Sequence, residues 1–327
     1  MTTKITKRKL ALAMAAVTCL AFSLPALAQQ AYPNKPIRLV VPFPPGGPAD
    51  TLGRIIAQNL TETMGQAVVV DNKPGASTII GADFVAKSQP DGYTLLLAID
   101  STLTMNQALF TKLPYDPIKD FSPISLVAEV PTMIAVNAAF PANTLGQLLA
   151  MAKKSPGEIQ FATGTVTMQA AGELLNKMAG VKMVPVQYKG GGTTILAVMG
   201  GEIPVTIESA AGIIANLKTG RVRALAVAGP SRLRAAPDIP TASEAGVPGF
   251  NVAVWQSLVA PAGTPRPIID RLNAELKRAM ALPATREKLE TAGMQPLVST
   301  PEELAAYVQT ETKKWGTLIK DIGLKVN

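Results

Sequence analysis

The chain has 327 residues, a formal net charge of +8, one cysteine and no histidine. The lack of histidine excludes Ser-His-Asp and Cys-His catalysis, histidine acid–base chemistry and every zinc site built from Cys and His. No paired-carboxylate motif in a strand-end loop supports carboxylate catalysis either. The sequence therefore predicts no catalytic residue, no metal site and no cofactor.

The first 28 residues have the three-part pattern of an export signal. They comprise a basic start (Lys4, Lys7, Arg8, Lys9), an apolar core (Leu10 to Leu24) and a small-residue cleavage site (Ala26-Leu27-Ala28). We expect the mature protein in the periplasm, without stable membrane insertion, because no later stretch reaches about 18 uninterrupted apolar residues. The rival is a lipoprotein signal ending at Cys19, which Thr18 fits poorly.

Removal of this segment halves the apparent basicity. It takes away four of the 31 basic residues and none of the 23 acidic ones, which leaves a net charge of +4. Cys19 is lost with it, so the mature chain has no thiol. No Lys/Arg cluster interleaved with aromatic residues remains, and we expect no nucleic-acid partner.

Strand-like and helix-like patterns alternate along the rest of the chain. Strands are predicted at Ile37–Val41, Ala67–Val70, Tyr93–Ile99, Ile159–Thr163, Val184–Gln187, Val205–Glu208 and Ala224–Ala228. Helices are predicted at about Pro48–Met64, at Ile79–Lys87, from a capping box at Thr144 and Gln147 to Lys154, around Ile269–Met280, and from a second capping box at Thr300 and Glu303. This alternation predicts mixed α/β layers.

The loop between the first strand and the first helix carries the strongest local signal. The strand runs into Pro44-Pro45-Gly46-Gly47, the two glycines can take positive φ, and Pro48 suits the first turn of a helix. A helix that opens in this way presents free N–H groups and the positive end of its dipole, which suits an anion. By its own residues the loop is equally consistent with an ordinary strand–turn–helix corner.

A series of motifs in order along the chain matches a known family. They are Tyr32–Arg38, Val41–Asp50, Asp71–Ala76, Pro90–Leu96, Tyr188–Gly191, Arg223–Val227 and Ala260–Pro265. Through them the chain resembles the Bug family of periplasmic solute-binding proteins, the receptors of tripartite tricarboxylate transport systems. The resemblance runs from about Tyr32 to the C-terminus.

The resemblance implies a fold of the α/β class that is periplasmic-binding-protein-like (type II). Two α/β domains would be joined by a two-strand hinge, with the ligand cleft between them. Domain 1 would comprise residues 29–128 plus 252–327, and domain 2 the inserted residues 129–251. The crossings are expected near Ser125–Val130 and Val252–Ala260. Closure about such a hinge couples occupancy to recognition by a partner.

The resemblance also implies that the first strand–helix loop holds a carboxylate. The expected ligand-binding residues are Phe43, Gly46, Gly47, Pro48, Ala49 and Asp50 in this loop, Ser101 and Thr102 in a loop after the third strand, and Thr163, Thr165, Thr167 and Glu208 from domain 2. Asp50 can also cap the helix, and Asp100–Thr102 with Asn106 can equally be turn and capping residues. The Thr163–Met168 loop is about two residues shorter than in relatives, and Gln169 lies near the place of their histidine, so the resemblance does not say which carboxylate is bound.

The function implied is a receptor and not an enzyme. It would capture a small carboxylate-bearing solute, such as a di- or tricarboxylate, an acidic amino acid or an aromatic acid, by cleft closure. As a monomer it would deliver the solute to the two membrane subunits of a secondary transporter or to a sensor protein. The alternatives are an orphan receptor, a scavenging protein, and a secreted enzyme that uses the Gly-Gly loop for a phosphate or nucleotide. The phosphate-loop and dinucleotide glycine motifs that such an enzyme needs are absent from the sequence.

Overall fold

The computed structural model describes residues 32–188 and 191–325. The predicted export signal lies outside these residues, as do Lys189 and Gly190 of one family motif. The chain from Lys35 onwards forms one compact unit.

Strands and helices alternate as the sequence predicts, and the mixed α/β class is confirmed. The strands are β1 (Ile37–Val41), β2 (Val68–Asn72), β3 (Thr94–Ile99), β4 (Phe121–Asn137), β5 (Gln160–Thr163), β6 (Val184–Gln187), β7 (Val205–Ser209), β8 (Val222–Val227), β9 (Ala253–Pro261) and β10 (Gln295–Pro296). The helices are α1 (Pro48–Met64), α2 (Ile79–Ala86), α3 (Asp100–Thr104), α4 (Asn106–Leu109), α5 (Leu145–Lys154), α6 (Val166–Ala179), α7 (Gly191–Met199), α8 (Ala210–Leu217), α9 (Arg266–Ala281), α10 (Pro283–Thr291) and α11 (Pro301–Ile322). A short 3₁₀ turn, Ala76–Thr78, precedes α2.

The strands form one continuous sheet with two lobes. Its order is β2-β1-β3-β9-β4-β7-β5-β6, and β8 and β10 also pair with β4. We call β1, β2, β3, β9 and β10 the first lobe and β5 to β8 the second lobe. β1 is parallel to β2 and β3, and β5 is parallel to β6 and β7, so the carboxyl ends of neighbouring strands meet at one edge in each lobe.

One long strand, β4, belongs to both lobes. Residues from Phe121 to Pro131 pair with β9 in the first lobe. Residues from Thr132 onwards pair with β7 and β8 in the second lobe. The chain later returns from the second lobe to the first. Val252 N–H donates to Ala228 C=O, just after β8, and β9 begins at the next residue, Ala253. Two strand segments therefore connect the lobes.

The C-terminal helix α11 packs on both lobes. Its beginning adds Leu304 and Val308 to a hydrophobic cluster with first-lobe residues. Its end adds Trp315, Leu318 and Ile319 to a cluster of mainly second-lobe residues. Thr300 and Glu303 form the predicted capping box at its start. At the start of α5, Thr144 accepts from the Gln147 N–H as predicted, but the Gln147 side chain accepts from Asn143 N–H instead of Thr144 N–H.

Candidate functional site

The first turn of α1 offers backbone N–H groups that no side chain caps. Gly47 is the N-cap residue and has no side chain to accept from the N–H groups of Ala49 and Asp50. Pro48 occupies the first helical position, where a missing N–H costs nothing. Of the two glycines, Gly46 takes a positive φ of +87°, whereas Gly47 is extended at −85°, 174°. A helix of 17 residues that begins this way suits an anion.

Asp50 shapes the loop before this turn. Its Oδ2 accepts from Gly46 N–H and from Arg54 Nε, both at 2.9 Å, and its Oδ1 accepts from Asn72 Nδ2 at 3.0 Å. The carboxylate is only 3% exposed. The Arg54 hydrogen bond, with those from Gly46 and Asn72, outweighs the burial of the group and lowers the pKa of Asp50 to about 2. Asp50 therefore stays ionised, and Arg54 neutralises its charge next to the proposed anion.

Two consequences follow for the predicted roles in this loop. Asp50 reaches back along the chain as predicted, but it accepts from the N–H of Gly46, one residue before the N-cap, and so holds the loop ahead of the helix and not an N–H of its first turn. The Gly46 N–H donates to that carboxylate in this structure, and a ligand role for Gly46 stays a prediction. Asn72 also donates to Phe43 C=O at 3.0 Å, and therefore holds the loop at its start as well as through Asp50. Asn72 lies in the family motif Asp71–Ala76, but no local sequence pattern indicates this role.

A left-handed turn follows the family motif Asp71–Ala76 and precedes α2. Ala76, Ser77 and Thr78 take φ values of +45°, +52° and +76° in succession. Such values cost non-glycine residues about 1–2 kcal/mol each, most of all a β-branched one. Two contacts hold the turn: Thr78 Oγ1 lies 2.7 Å from Thr102 Oγ1, and Asn106 Nδ2 donates to Ser77 C=O at 3.1 Å.

Ser77→Gly should therefore stabilise the protein by about 0.5 to 1 kcal/mol, because relief of the left-handed strain exceeds the added chain entropy of glycine. The Ser77 carbonyl that Asn106 binds is kept. The measurement is the free energy of unfolding in denaturant. Ser155→Gly is the control, since Ser155 is exposed at φ −128°, and that change should be destabilising. A Ser77→Gly protein no more stable than the wild type would show that the turn carries no strain.

Ser101 and Thr102 lie in the short helix α3 and not in a loop, which corrects the expectation drawn from the resemblance. Both are buried, and the Thr102 hydroxyl bonds to Thr78. Tyr115 Oη donates to Thr102 C=O at 2.8 Å and accepts from Asn106 Nδ2 at 3.1 Å. This network favours the structural alternative for the segment. A ligand role for Ser101 and Thr102 stays a prediction.

The three threonines of the second lobe surround the start of α6. Thr165 is the N-cap, and its Oγ1 accepts from Met168 N–H at 3.2 Å; its side chain is exposed. Thr163 is buried and its Oγ1 donates to Thr165 C=O at 3.3 Å. Thr167 is buried and contacts Met105 Sδ at 3.8 Å, a contact between α6 and the α3–α4 segment. Of the three, only Thr165 is exposed to solvent.

Glu208, at the end of β7, supports the start of α7. Its Oε2 accepts from Thr194 Oγ1 at 3.1 Å and its Oε1 accepts from Ser209 N–H at 2.9 Å. A Cβ on Gly191 would lie 2.8 Å from the Glu208 carboxyl carbon, so the two residues are closely packed. Burial raises the pKa of Glu208. The geometry gives Glu208 a structural role, and its contact with a ligand stays a prediction.

Asp100, the first residue of α3, is a buried carboxyl group. It is 1% exposed, and neither oxygen has a hydrogen-bond partner of good geometry among the described residues. Burial, reinforced by the negative charge of Glu311, raises the pKa of Asp100 to about 7. Its folded-state proton is therefore held more tightly than in the unfolded chain. The resulting stability is complete below about pH 4 and is lost as the pH rises towards 7.

Asp100→Asn should accordingly stabilise the protein more at pH 8 than at pH 5, by about 2 kcal/mol, since the amide does not ionise. Denaturant unfolding at the two pH values measures this difference. Equal effects of Asp100→Asn at both pH values would mean that Asp100 is ionised at pH 5.

The residues that the structure describes were also compared with the requirements of a metal site, a membrane-spanning helix and a second solute pocket. Residues 32–188 and 191–325 contain no group of three His, Cys, Asp or Glu side chains placed to hold a metal. Within the same ranges, none of the helices has the length and apolar character that a bilayer crossing requires. A groove of about 140 Å³ between α11 and the first lobe is lined mainly by apolar side chains and suits a carboxylate poorly.

Comparison with known proteins gives a consistent result. Residues 52–324 match the family described as tripartite tricarboxylate transporter family receptor. A Pseudomonas sp. (strain P51) protein, described as the UPF0065 protein in the tcbD-tcbE intergenic region, is 38% identical over 301 residues, which are 91% of this chain and 89% of that one. The protein BugT of Bordetella pertussis is 35% identical over 298 residues, 90% of this chain and 91% of its own.

Solved structures agree in fold. Rpa4515 of R. palustris with adipate has a TM-score of 0.80 and 32% identity, covering 90% of this chain and 100% of that one. The periplasmic binding protein BugD has a TM-score of 0.75 and 34% identity over 90% and 100% of the chains. MatC of Rhodopseudomonas palustris with bound malate has a TM-score of 0.74 and 34% identity, covering 88% of this chain and 100% of that one. The predicted periplasmic-binding-protein-like fold is confirmed, and the chain belongs to the tripartite tricarboxylate transporter receptor family.

Proposed function

We propose that this chain is a periplasmic receptor, without enzymatic activity, for a small solute that carries a carboxylate. The uncapped first turn of α1 carries this proposal. The N–H groups of Gly47, Ala49 and Asp50 would bind the carboxylate, and Phe43 and Pro48 would shape the loop around it. Asp50, Asn72 and Arg54 support the site by holding the loop and balancing its charge.

The second wall of the site would come from the other lobe. Thr165, at the start of α6, faces solvent and would donate to the solute on closure. Ser101, Thr102, Thr163, Thr167 and Glu208 would form the layer behind it. We place the domain boundaries at 29–128 plus 252–327 and at 129–251. The first crossing would then lie in β4, about three residues before its pairing changes from β9 to β7 at Thr132, and the second just before β9.

The solute class follows from the relatives. Adipate and malate, named with two solved relatives, are both small dicarboxylates. A related acid would be captured here, and the closed receptor would deliver it to the membrane subunits of a transporter or to a sensor protein. Export through the predicted signal, residues 1–28, would place the receptor in the periplasm.

Calorimetry against adipate, malate, citrate, glutamate and benzoate tests this proposal. We expect saturable binding of at least one acid, with no chemical change to it by mass spectrometry. Adipamide is the matched control, because it keeps the chain length of adipate and replaces both carboxylates by neutral amides. Turnover of an acid, failure of every acid to bind, or equal affinity for adipamide and adipate would each contradict the proposal.

A further inference from the structure

Gln256, in strand β9, carries a buried polar atom that the fold itself does not use. The residue is 2% exposed. Its Oε1 is fully buried and accepts no hydrogen bond from the residues that the structure describes. A buried amide oxygen without a hydrogen bond destabilises the folded protein, and such a group is therefore a candidate for binding a ligand.

Strand pairing places Gln256 on the side of the sheet that α1 covers. Gln256 pairs with Ile99, the last residue of β3, and Leu258 pairs with Leu97. Side chains two residues apart on a strand share a face, as do directly paired ones. Leu97 faces α1, because a Cβ on Gly53 would lie 3.7 Å from Leu97 Cδ2. Gln256 is therefore on the α1 face, at the carboxyl end of β3.

The height of Gln256 on that face matches the first turn of α1. From Leu258 to Gln256 the strand advances about 7 Å towards the carboxyl end of β3. From Gly53 back to Ala49, one turn of α1 advances about 6 Å in the same direction. Neighbouring strands are about 5 Å apart, so Gln256 on β9 lies one strand to the side of Leu97. The Gln256 amide is thus level with the uncapped N–H groups and two strands, or about 10 Å, across the sheet from β1, on which Gly53 of α1 packs most closely.

We infer that Gln256 hydrogen-bonds the solute held at the first turn of α1 and selects for a solute with a second polar group. An amide both donates and accepts, so it can bind a second carboxylate or a hydroxyl. A purely apolar chain leaves it without a partner. This inference rests on the proposed function and adds a specificity-determining residue to that site.

Calorimetry with adipate and hexanoate tests the inference, since hexanoate has a methyl group in place of the second carboxylate of adipate. Gln256→Leu keeps the size of the side chain and removes both polar atoms. We expect at least a tenfold loss of affinity for adipate and no loss for hexanoate. The thermal midpoint of the unliganded variant should be unchanged or higher, because a buried unpartnered atom is removed.

Ser257→Ala is the matched control. Ser257 follows Gln256 in β9 and pairs with Ala98 on the opposite face, and its buried hydroxyl also has no hydrogen-bond partner among residues 32–188 and 191–325. This change should leave adipate affinity as it is. Full adipate affinity in Gln256→Leu, or an equal loss in Ser257→Ala, overturns the inference. If the wild type does not bind adipate, the acid of the panel that it binds most tightly replaces adipate. The analogue of that acid in which a methyl group replaces one carboxylate then replaces hexanoate. Binding of no acid overturns the proposed function and this inference with it.

Discussion

Asp50→Ala should weaken binding of the carboxylate solute at least tenfold, or by about 1.4 kcal/mol, while the protein remains folded. The Asp50 carboxylate holds Gly46, Arg54 and Asn72, and none of these bonds survives in alanine. The loop that orients the first-turn N–H groups would then lose its support, and Arg54 would lose its partner. Calorimetry with the strongest acid of the panel measures the effect, and circular dichroism reports on the fold.

Asp83→Ala is the matched control for this change. It removes the same charge from another helical i,i+4 pair, that with Lys87 at 2.6 Å, away from the proposed site. Its affinity should equal that of the wild type. A folded Asp50→Ala protein with undiminished affinity would limit Asp50 to a structural role in the loop.

The same residue makes stability depend on acid. Because the folded-state pKa of Asp50 is about 2, below its usual value, its contribution is present above about pH 4 and is lost as the pH falls towards 2. The contribution is about 1 to 2 kcal/mol, since Arg54 is largely exposed and its charge is screened by solvent. The Asp50→Ala protein should therefore be less stable than the wild type at pH 7 and about equally stable near pH 2.

Gly172→Ala should lower the free energy of unfolding by about 3 kcal/mol, the upper end of the usual range for an overpacked core. A Cβ at this position in α6 would lie 2.1 Å from Phe161 Cε2 and 2.3 Å from Cζ. Phe161 is fully buried in β5, so the ring has no free space to move into. The clash outweighs the helix propensity of alanine, which on its own favours the change by about 1 kcal/mol.

Gly316→Ala, in α11, is the control that measures the helix propensity of alanine without a clash. A Cβ on Gly316 meets nothing within 4 Å, so the identical substitution should raise the free energy of unfolding by about 0.8 kcal/mol. Denaturant unfolding of both variants gives the comparison. Changes of the same sign in the two proteins would show that the space beside Phe161 is larger than the structure indicates.

Local patterns predicted much of the fold because they act over a few residues. Pro48 at a first helical position and the Thr300–Glu303 capping box placed the starts of α1 and α11 correctly. Helix α10 was not predicted, since only Thr285 and Leu289 of its nine residues are buried and no apolar stripe marks it. The left-handed turn at Ser77 was not predicted either, because Ala, Ser and Thr are not residue types that favour positive φ values.

The candidate site was less predictable because its contacts join distant parts of the chain. Asp50 depends on Asn72, 22 positions later, and Thr78 on Thr102, 24 positions later. The place of Gln256 follows from the pairing of β9 with β3, which no local pattern contains. The resemblance to a family singled out the strand–helix corner as the expected carboxylate loop, but it could not indicate that Asp50 binds the Gly46 N–H.

The position of α11 across two hydrophobic clusters has a consequence for how the protein melts. Leu304 and Val308 are anchored among first-lobe residues, and Trp315 and Leu318 among those of the second. Neither lobe can lose its packing without exposing one end of the same helix. We therefore expect the two lobes to lose their packing together on heating, in a single transition whose calorimetric and van't Hoff enthalpies agree.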